Sequence, residues 1–446
     1  MLHNAAGALL LALSATSWAT PVHVELVKDI DTSGSGFDEY FDIGGMLSAA
    51  VGDLLFFVRH TDTNSELWRT DGSSAGTFGI PTNSYVRGIA ARTHGVVLSL
   101  DRPPPSSGND LVRASADLNL SSPIWTSYAS VELMQEIPVD GLLFDCADTG
   151  FTNHCAIPPG QNQGSVIFRG YARALGTQGD AVILAGYSRS NFGAHGIWRS
   201  DGTVPGTFRI ADDLNIGAYP TVAPVPATLH AGRIWFIACT EAFLCGLYAT
   251  DGTRSGTQQI ASLQTVPRGE MKPLRNGVAW IPEAGDAELW FSDGTPGGTR
   301  PLATSAANSR VGLATTGDYV HYVTSTSSAA TYHVSDGTVA GTRPIALPAQ
   351  IQPINGRPVA LDANTVAFRC TSPATGDELC IVDAEGKFIE THDIFPGPSP
   401  SGARLLGTTR GSAYLVADDG SHGRELWRVY VREDAIFHGG FEVTAP

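Results

Sequence analysis

A short segment recurs along the chain, and it limits the possible folds more than any other feature of the sequence. It reads ELWRTDGSSAGT in its first copy, and five copies carry it plainly, at residues 66–77, 196–207, 246–257, 288–299 and 331–342. Two further copies, which begin at Glu378 and Glu425, keep only the first half of the pattern. Self-similarity at a fixed period indicates a repeat architecture, in which each unit buries its apolar surface against its neighbours.

Each copy follows a short apolar run, for example DLLFFV or RIWFIAC. Two worn units fill the interval between Asp71 and Asp201, with GVVLSL and GLLFDC as their corresponding runs. The runs therefore open near residues 53, 95, 141, 179, 232, 277, 317, 364 and 411, which predicts nine units. Eight units are the alternative, if one of the worn segments is an insertion in a ring of more usual size.

The residues of one unit predict four antiparallel strands. The apolar run and the ELW segment are rich in β-branched and aromatic residues, which is typical of strands. Asp-Gly favours a tight turn, because Asp bonds nearby backbone N–H groups and Gly accepts a positive φ. Gly-Thr restarts a strand, and a further, inner strand leads into the next unit. Units of about 40–50 residues with four strands each predict an all-β protein that forms a single β-propeller.

The two ends of the chain predict how the ring closes. The ninth unit, residues 403–431, lacks a fourth strand, whereas residues 22–30 form a lone strand without a hairpin partner. We expect residues 22–30 to complete that last blade. The chain then divides into a signal peptide at residues 1–19, the propeller at 20–433 and a C-terminal tail at 434–446.

These segments resemble the ELWxxDGTxxGT repeat of large secreted bacterial proteins, a repeat that is predicted to form β-propellers. The resemblance extends over residues 22–431. Residues 434–442, DAIFHGGFE, are similar to a short IFxxGFE-type tail on exported proteins of some Gram-negative bacteria. Neither resemblance implies a defined activity, so the function has to be argued from the residues.

The N-terminus and the cysteines both predict export. Residues 5–19 form one apolar run, with Ser17 and Ala19 at the −3 and −1 positions of a cut before Thr20, as in a secretory signal peptide. Six cysteines form three close pairs, and each pair brackets a turn-like stretch between apolar runs. Hairpin disulfides are typical of oxidising compartments, and we expect them at Cys146–Cys155, Cys239–Cys245 and Cys370–Cys380. The protein is therefore expected to be secreted or otherwise extracytoplasmic, in the periplasm, at the cell surface or outside the cell.

Charge limits the possible partners. The net charge is −16, from 28 Lys and Arg against 44 Asp and Glu, which argues against nucleic acid because a phosphate backbone needs a basic footprint. It also disfavours docking on an anionic membrane. No apolar stretch after the N-terminal run is long enough to span a bilayer. We expect a monomer whose partner is an extracellular protein or glycan.

A second regularity concerns basic residues near the starts of the inner strands. The set is Arg87, Arg173, Arg310, Arg357 and Arg404, with Lys272 in a similar place. Inner strands line the channel of a propeller, so these side chains predict a positive ring at the channel mouth that binds an anion through guanidinium forks. The alternative is that each Arg pairs with an acidic residue of the neighbouring blade.

The repeated Asp and aromatic residues have a structural interpretation. The Asp residues of the motif are Asp71, Asp201, Asp251, Asp293 and Asp336. We interpret them as turn caps rather than calcium ligands, because calcium needs six or more oxygens and each turn supplies one Asp. The motif aromatics are interpreted as packing between blades rather than as carbohydrate-stacking platforms: Trp68, Trp198, Tyr248, Trp290 and Trp427.

The loops between the second and third strands vary most, and binding residues concentrate on such loops. We expect this face to contact a partner first, and its carboxylates are Asp62, Asp101, Asp148, Asp286, Asp377, Asp418 and Asp419. His422 lies close to the last two of these, and we interpret that cluster as solvated rather than catalytic.

Catalytic patterns are thin, because the chain has no HExxH, GxSxG or Walker motif. No catalytic residue, metal or cofactor is assigned. The sequence favours an exported, non-enzymatic propeller scaffold that binds a protein or glycan through its loop face or channel mouth. The alternatives are an extracellular polysaccharide hydrolase or lyase acting at the central channel, and a structural or adhesive surface protein without a small ligand. An enzyme requires at least two titratable groups with strongly shifted pKa values in a channel pocket.

Overall fold

The structure is a computed structural model, and every regular element that it describes is a β-strand. The signal peptide expected at residues 1–19 and the tail expected at 434–446 lie outside the described residues. The all-β prediction is confirmed. The described residues are 22–31, 47–61, 63–104, 106–127, 131, 134–138, 140–148, 151–161, 163–188, 194–216, 226–263, 269–282, 287–304, 309–326, 329–354 and 356–431.

Consecutive strands of the described residues pair antiparallel into eight hydrogen-bonded sheets. We number their blade-like groups of strands in chain order and count the two parts of the seven-stranded sheet as the third and fourth. The first sheet contains β2 (Ser48–Val51), β3 (Leu54–His60), β4 (Ser65–Thr70) and β5 (Phe78–Pro81). The second contains β6 (Val86–Arg92), β7 (Gly95–Asp101), β8 (Asn109–Ser115) and β9 (Trp125–Ser127). The third contains β10 (Met134–Ile137), β11 (Gly141–Asp148), β12 (Phe151–Ile157) and the first part of β13 (Ser165–Gln178). The fourth contains the rest of β13, then β14 (Ala181–Ser188), β15 (Ala194–Ser200) and β16 (Phe208–Asp212).

The remaining sheets continue this order. The fifth contains β17 (Ala227–His230), β18 (Arg233–Cys239), β19 (Cys245–Thr250) and β20 (Gln258–Leu263). The sixth contains β21 (Met271–Leu274), β22 (Gly277–Trp280), β23 (Ala287–Ser292) and β24 (Arg300–Thr304). The seventh contains β25 (Ser309–Thr315), β26 (Val320–Ser325), β27 (Ala330–Ser335) and β28 (Arg343–Pro344). The eighth contains β29 (Gln352–Pro353), β30 (Val359–Ala360), β31 (Thr365–Ser372), β32 (Gly376–Asp383) and β33 (Phe388–His392). The ninth contains β34 (Arg404–Thr409), β35 (Ser412–Asp418), β36 (Arg424–Val431) and β1 (Val22–Lys28).

One long strand, β13, belongs to two sheets. Its residues 165–169 pair with β12, and its residues 170–178 pair with β14. The change of partner occurs at Gly170, which has a φ of 138°. A Cβ there would lie 1.9 Å from the carbonyl oxygen of Tyr187, so the strand can continue past this point only with glycine. The third and fourth sheets are therefore joined without a connecting loop.

The first strand of the eighth sheet is interrupted. Both β29 and β30 pair with β31, the N–H of Ile354 still donates to the carbonyl oxygen of Arg369 at 3.2 Å, and residues 356–358 belong to no strand. Pro353 and Pro358 border this gap, and proline lacks the N–H group that a strand donates to its neighbour. The interruption places Arg357 outside the hydrogen-bonded sheet.

Apolar side chains of each strand pack alternately towards the sheet before and the sheet after. In β3, Phe56 packs towards the second sheet, whereas Phe57 packs with Leu406 of the ninth. Similar buried clusters join each sheet to the next along the chain, and a further one joins the eighth and ninth sheets. Burial on both faces explains why the second strands are continuous apolar runs.

The motif aromatics pack between sheets, as the repeat pattern predicts. Each contributes to the cluster that joins its own sheet to the preceding one. The set is Trp68, Trp198, Tyr248, Trp290 and Trp427.

The two ends of the described chain meet in the ninth sheet. Strand β1 pairs antiparallel with β36, from Val22 opposite Val431 to Lys28 opposite Leu426. The fully buried Glu425 accepts hydrogen bonds from the N–H groups of Ile30 and Asp31 at 2.7 and 3.0 Å. Burial raises the pKa of Glu425, although these backbone hydrogen bonds oppose the shift.

The repeated turn is held by a chain of hydroxyl groups. In the third plain copy, the N–H of Gly252 donates to Thr250 Oγ1 at 3.0 Å, and the two threonine hydroxyls of Thr250 and Thr257 are 2.7 Å apart. Thr257 donates to the carbonyl of Thr253, so Thr250 must donate to Thr257. The same bonds occur in the other four plain copies. The motif therefore includes the Ser or Thr before Asp, a position that the sequence analysis did not single out.

The motif Asp residues cap their own turns. Asp251 Oδ1 accepts hydrogen bonds from both the N–H and the hydroxyl of Thr253, at 2.9 and 2.7 Å. A Cβ at Gly256 would lie 2.0 Å from this carboxylate, which explains the second glycine of the motif. The other four plain copies repeat the cap. The hydroxyl bond lowers the pKa of Asp71, Asp251 and Asp293.

Disulfide bonds, predicted from the cysteine spacing, are present. Within the described residues they join Cys146 to Cys155, Cys239 to Cys245 and Cys370 to Cys380. Cys239 and Cys245 lie directly opposite each other in a hairpin. In the other two pairs the cysteines are diagonal, because Cys146 lies opposite Asn153 and Cys370 opposite Glu378. Each bond ties a second strand to a third strand of its own sheet.

Candidate functional site

A cavity of about 620 Å³ lies among the first strands of the sixth to ninth sheets. These first strands are the ones that the sequence analysis called inner strands. It opens beside the interruption between β29 and β30. Its lining includes Lys272, Arg357 and Arg404, three of the six basic residues that the sequence predicted to ring a channel mouth. Backbone positions therefore bring these three cations together from three different sheets.

A single carboxylate organises one side of the cavity. Glu270 Oε2 lies 2.5 Å from Arg357 Nη2, and Glu270 Oε1 lies 3.0 Å from Lys272 Nζ. Glu270 Oε2 also accepts a hydrogen bond from the N–H of Leu313 at 3.0 Å. The Glu270 side chain is 12% exposed, whereas the side chains of Lys272 and Arg357 are 37% and 54% exposed, so water screens the carboxylate less than its two partners. One carboxylate thereby links β21, β25 and the segment that precedes β30.

Arg357 reaches Glu270 across the backbone of the seventh sheet. A Cβ at Gly312 would lie 2.6 Å from Arg357 Cγ, so this crossing needs glycine. The register of β25 shifts between Val311 and Leu313, which turns the N–H of Leu313 towards Glu270. The sequence patterns did not point to Glu270, although it directly precedes β21 and lies two residues before Lys272.

The far side of the cavity combines charge with an exposed apolar side chain. Arg404 and Leu405 are consecutive in β34, at a shift in its register with β35. Leu405 is 39% exposed and lines the cavity, together with Val359 from β30. Arg369 also lines it and forms a salt bridge with Asp377. The described ionisable lining residues are thus four cations and one carboxylate, on a chain whose net charge is −16.

The other predicted basic residues lie elsewhere. Arg87 in β6 forms a salt bridge with Asp101, at 2.7 Å, and Arg173 lies in β13. Neither of these two lines the cavity. The side chain of Arg310 lies outside the described part of the chain. The alternative expectation is a pairing with an acidic residue of the neighbouring blade. Arg87 forms a salt bridge with Asp101 of its own sheet, and Arg357 with Glu270 two sheets away.

Several carboxylates of the variable loop face have local partners. Asp101 accepts from Arg87 and Asn109, and Asp377 pairs with Arg369. Asp418 Oδ1 accepts the N–H of Gly420. Asp62, Asp286 and the side chain of Asp148 lie outside the described residues.

Asp419 and His422 form a pair in the last of these loops. Asp419 Oδ2 lies 2.7 Å from His422 Nδ1, and Asp419 Oδ1 accepts N–H groups from Ser421 and His422. The hydrogen bond and the charge of Asp419 raise the pKa of His422. The Asp419 carboxylate is therefore used to order its own loop.

A buried histidine lies in the packing between the seventh and eighth sheets. Phe368, which lines the cavity, packs on Tyr332 with ring centroids 4.2 Å apart. His321 Nε2 is 3.0 Å from the carbonyl oxygen of Ala384, so this nitrogen carries the proton and Nδ1 accepts from the Tyr332 hydroxyl at 3.3 Å. Burial lowers the pKa of His321 to about 4. This histidine is neutral near neutral pH and joins two sheets behind the cavity.

Two classes of feature are absent from the described part of the chain. It contains no helix long and apolar enough to cross a membrane. Its His, Cys, Asp and Glu residues form no group of three that could hold a metal ion.

Comparisons with known proteins bear on the fold. No family model and no curated protein matches the chain. Among solved structures, a eukaryotic initiation factor matches with a TM-score of 0.50 and 9% identity, over 80% of this chain and 88% of that one. Puromycin hydrolase matches with a TM-score of 0.39 and 12% identity, over 84% of this chain and 59% of that one, so the chain spans about three fifths of its length. The β-propeller domain of the Trilobed protease from Pyrococcus furiosus matches with a TM-score of 0.34 and 12% identity, over 58% of this chain and 81% of that one. At these identities the likeness concerns the fold alone.

Proposed function

We propose that the protein is an exported, non-enzymatic β-propeller that binds an anionic group of its partner at the mouth of its channel. The observation that carries this proposal is the cavity on the first strands. There, four cations and one carboxylate line a concave site on a chain of net charge −16. A local excess of positive charge in a concave site attracts anions, even on a protein whose net charge is negative.

The proposed architecture is a closed ring of nine blades. The described strands form eight hydrogen-bonded sheets, one of which has seven strands. Its strands divide into two units at Gly170, and this division supports nine blades rather than eight. Closure is supported by the β1–β36 pairing and by the clusters on both sides of the ninth sheet. First strands line the channel in such a ring, which is where the cavity lies.

Removal of residues 20–30 tests the closure. If β1 closes the ring, the truncated chain should be unfolded as a whole and should show no cooperative unfolding transition. The ninth sheet then lacks its edge strand β1, and Glu425 lacks the N–H group of Ile30. A loss of only about 1 kcal/mol, as for a frayed terminus, contradicts closure.

Export is proposed from the disulfides and the N-terminal run. The three disulfides in the described residues fit an oxidising compartment. Non-reducing peptide mapping of protein isolated from its own cells, with sequencing of the N-terminus, tests both points. Free thiols or an intact residue 1 contradict export.

Binding is favoured over glycoside hydrolysis by the state of the cavity carboxylate. Hydrolysis usually needs a pair of carboxyl groups about 5–10 Å apart. Among the described residues that line the cavity, Glu270 is the one carboxylate, and both its oxygens are engaged by Lys272, Arg357 and Leu313. These contacts use three of the roughly four acceptor positions of the Glu270 carboxylate, and the described lining offers no second carboxyl group to complete a pair.

Calorimetric titration with sodium glucuronate at low ionic strength tests the proposal. We expect saturable binding that is lost when Arg357→Gln and Arg404→Gln are combined, and that persists in the control Arg410→Gln, an exposed cation outside the cavity. Equal binding by all three proteins would place the anion elsewhere. Release of reducing ends or unsaturated products from polygalacturonate by the purified protein would overturn the non-enzymatic assignment.

A further inference from the structure

The cavity already contains a carboxylate bound by the protein itself. Glu270 is held by one Arg, one Lys and one backbone N–H, which are the groups that would hold a carboxylate ligand. Lys272 and Arg357 are therefore partly neutralised. A multiply charged anion next to Glu270 would be repelled by this carboxylate more strongly than a singly charged one. Inorganic phosphate and polyanions are disfavoured for this reason.

Another part of the lining combines the cation Arg404 with apolar side chains. Leu405 follows Arg404 directly, is 39% exposed and lines the cavity, as does the half-buried Val359. An exposed leucine on a concave surface favours an apolar ligand group, because contact removes both from water. A charged and an apolar side chain are thus neighbours in β34.

We propose that the ligand is an organic carboxylate with an apolar body, whose carboxylate lies near Arg404 and whose body covers Leu405 and Val359. This inference rests on the proposed anion binding and names its chemical class. Two sources share this chemistry: a small apolar acid, and the C-terminal residue of a peptide with an apolar side chain.

A set of four small probes separates the two halves of the ligand. Octanoate carries both head and tail, acetate only the head, octanol only the tail, and inorganic phosphate a higher charge without a tail. We expect octanoate to bind at least about tenfold more tightly than acetate or phosphate, because burial of the tail adds to the charge interaction. Octanol should bind weakly, because it lacks the charge that Arg404 attracts.

Matched variants locate the two contacts. Leu405→Ser should weaken octanoate about tenfold and leave acetate unchanged, whereas Leu229→Ser, a control on the first strand of the fifth sheet that is 52% exposed and outside the cavity, should change neither. Arg404→Gln should weaken octanoate and acetate alike, and Arg410→Gln neither. Circular dichroism and melting curves of all four variants verify that they remain folded.

The outcomes separate this inference from the proposed function. If acetate or phosphate binds in the cavity as tightly as octanoate, the ligand class is wrong and anion binding stands. If none of the anions, glucuronate included, binds, both fail. A tetrapeptide that ends in Leu and its C-terminal amide distinguish the sources: preference for the free acid over both the amide and octanoate identifies a peptide terminus, and preference for octanoate identifies a small acid.

Discussion

The carboxylate of Glu425 accepts a hydrogen bond from the N–H of Ile30 at 2.7 Å, although the two residues are 395 positions apart in the chain. A comparable carboxylate, Glu378, accepts N–H groups of Ile394, Phe395 and Ser401, which lie within the next 23 residues. The same motif position thus holds the link to the following sheet in both places. In one case the link is local, and in the other it joins the two ends of the described chain.

Glu425→Gln should destabilise the protein and loosen β1. The substitution replaces one acceptor with an NH₂ group that faces an N–H donor, which costs about 1–3 kcal/mol at a buried site. Hydrogen–deuterium exchange should show faster exchange of residues 22–28 in this variant. Glu378→Gln is the matched control: it should cost a similar amount without affecting those residues. Unchanged exchange of β1 in Glu425→Gln would contradict the role assigned to this contact.

The two adjacent glycines of the fourth plain turn should respond oppositely to substitution by alanine. A Cβ at Gly298 would lie 2.0 Å from Asp293 Oδ1, whereas a Cβ at Gly297 would meet nothing within 4 Å. We expect Gly298→Ala to lower the free energy of unfolding by about 1–3 kcal/mol. Gly297→Ala should be neutral or stabilising by up to about 1 kcal/mol, because it reduces the freedom of the unfolded chain. Urea titrations measure both, and equal effects would refute the capping geometry.

Acidification should destabilise the protein through His321. Its pKa is about 4 in the folded chain against 6.5 as the ordinary value, so the unfolded chain binds a proton at this site first. The stability contributed by neutral His321 is therefore present above pH 6.5 and is lost as the pH falls towards 4. The full loss is about 3 kcal/mol.

His321→Gln isolates this contribution, because a glutamine can still donate to the Ala384 carbonyl and does not titrate. The free energy of unfolding of both proteins should be measured between pH 7 and 4.5. The difference between them should change steadily in favour of the variant as the pH falls. A difference that is constant with pH would show that His321 does not titrate in this way.

Each disulfide should contribute through its short loop. The bonded residues are 9, 6 and 10 positions apart, and closure of loops of this size in the unfolded chain corresponds to about 2–3 kcal/mol. Replacement of both Cys370 and Cys380 by Ala should therefore lower the midpoint of denaturation under non-reducing conditions. A reductant should no longer act through this bond in the variant. If the variant and the parent unfold at the same denaturant concentration, the bond adds no stability.

The strands and their order follow closely from the repeat. The openings expected near residues 53, 95 and 411 lie within one residue of the starts of β3, β7 and β35. This agreement arises because the motif couples the turn chemistry of Asp-Gly to runs that are apolar on both faces. The Ser or Thr before each Asp was visible in the sequence, in TDG and SDG, yet its role depends on a hydroxyl chain that closes only in three dimensions.

The candidate site was only partly predictable. The regular placement of basic residues near the starts of the first strands singled out Lys272, Arg357 and Arg404, and these three line the cavity. Glu270 does not repeat, so no periodicity pointed to it, and its contacts come from sheets that are distant in sequence. The interruption of the eighth sheet beside Pro358 was likewise not predictable, because it depends on how this proline is placed against β31.

The strand β13 has a consequence for how such a chain can change during evolution. Elsewhere, a link between two repeats offers room for an insertion, a cut or a swapped unit. Between the third and fourth sheets that room is missing, since a single extended segment serves as the outer border of one repeat and the inner border of the next. These two repeats must be gained, lost and folded as a pair.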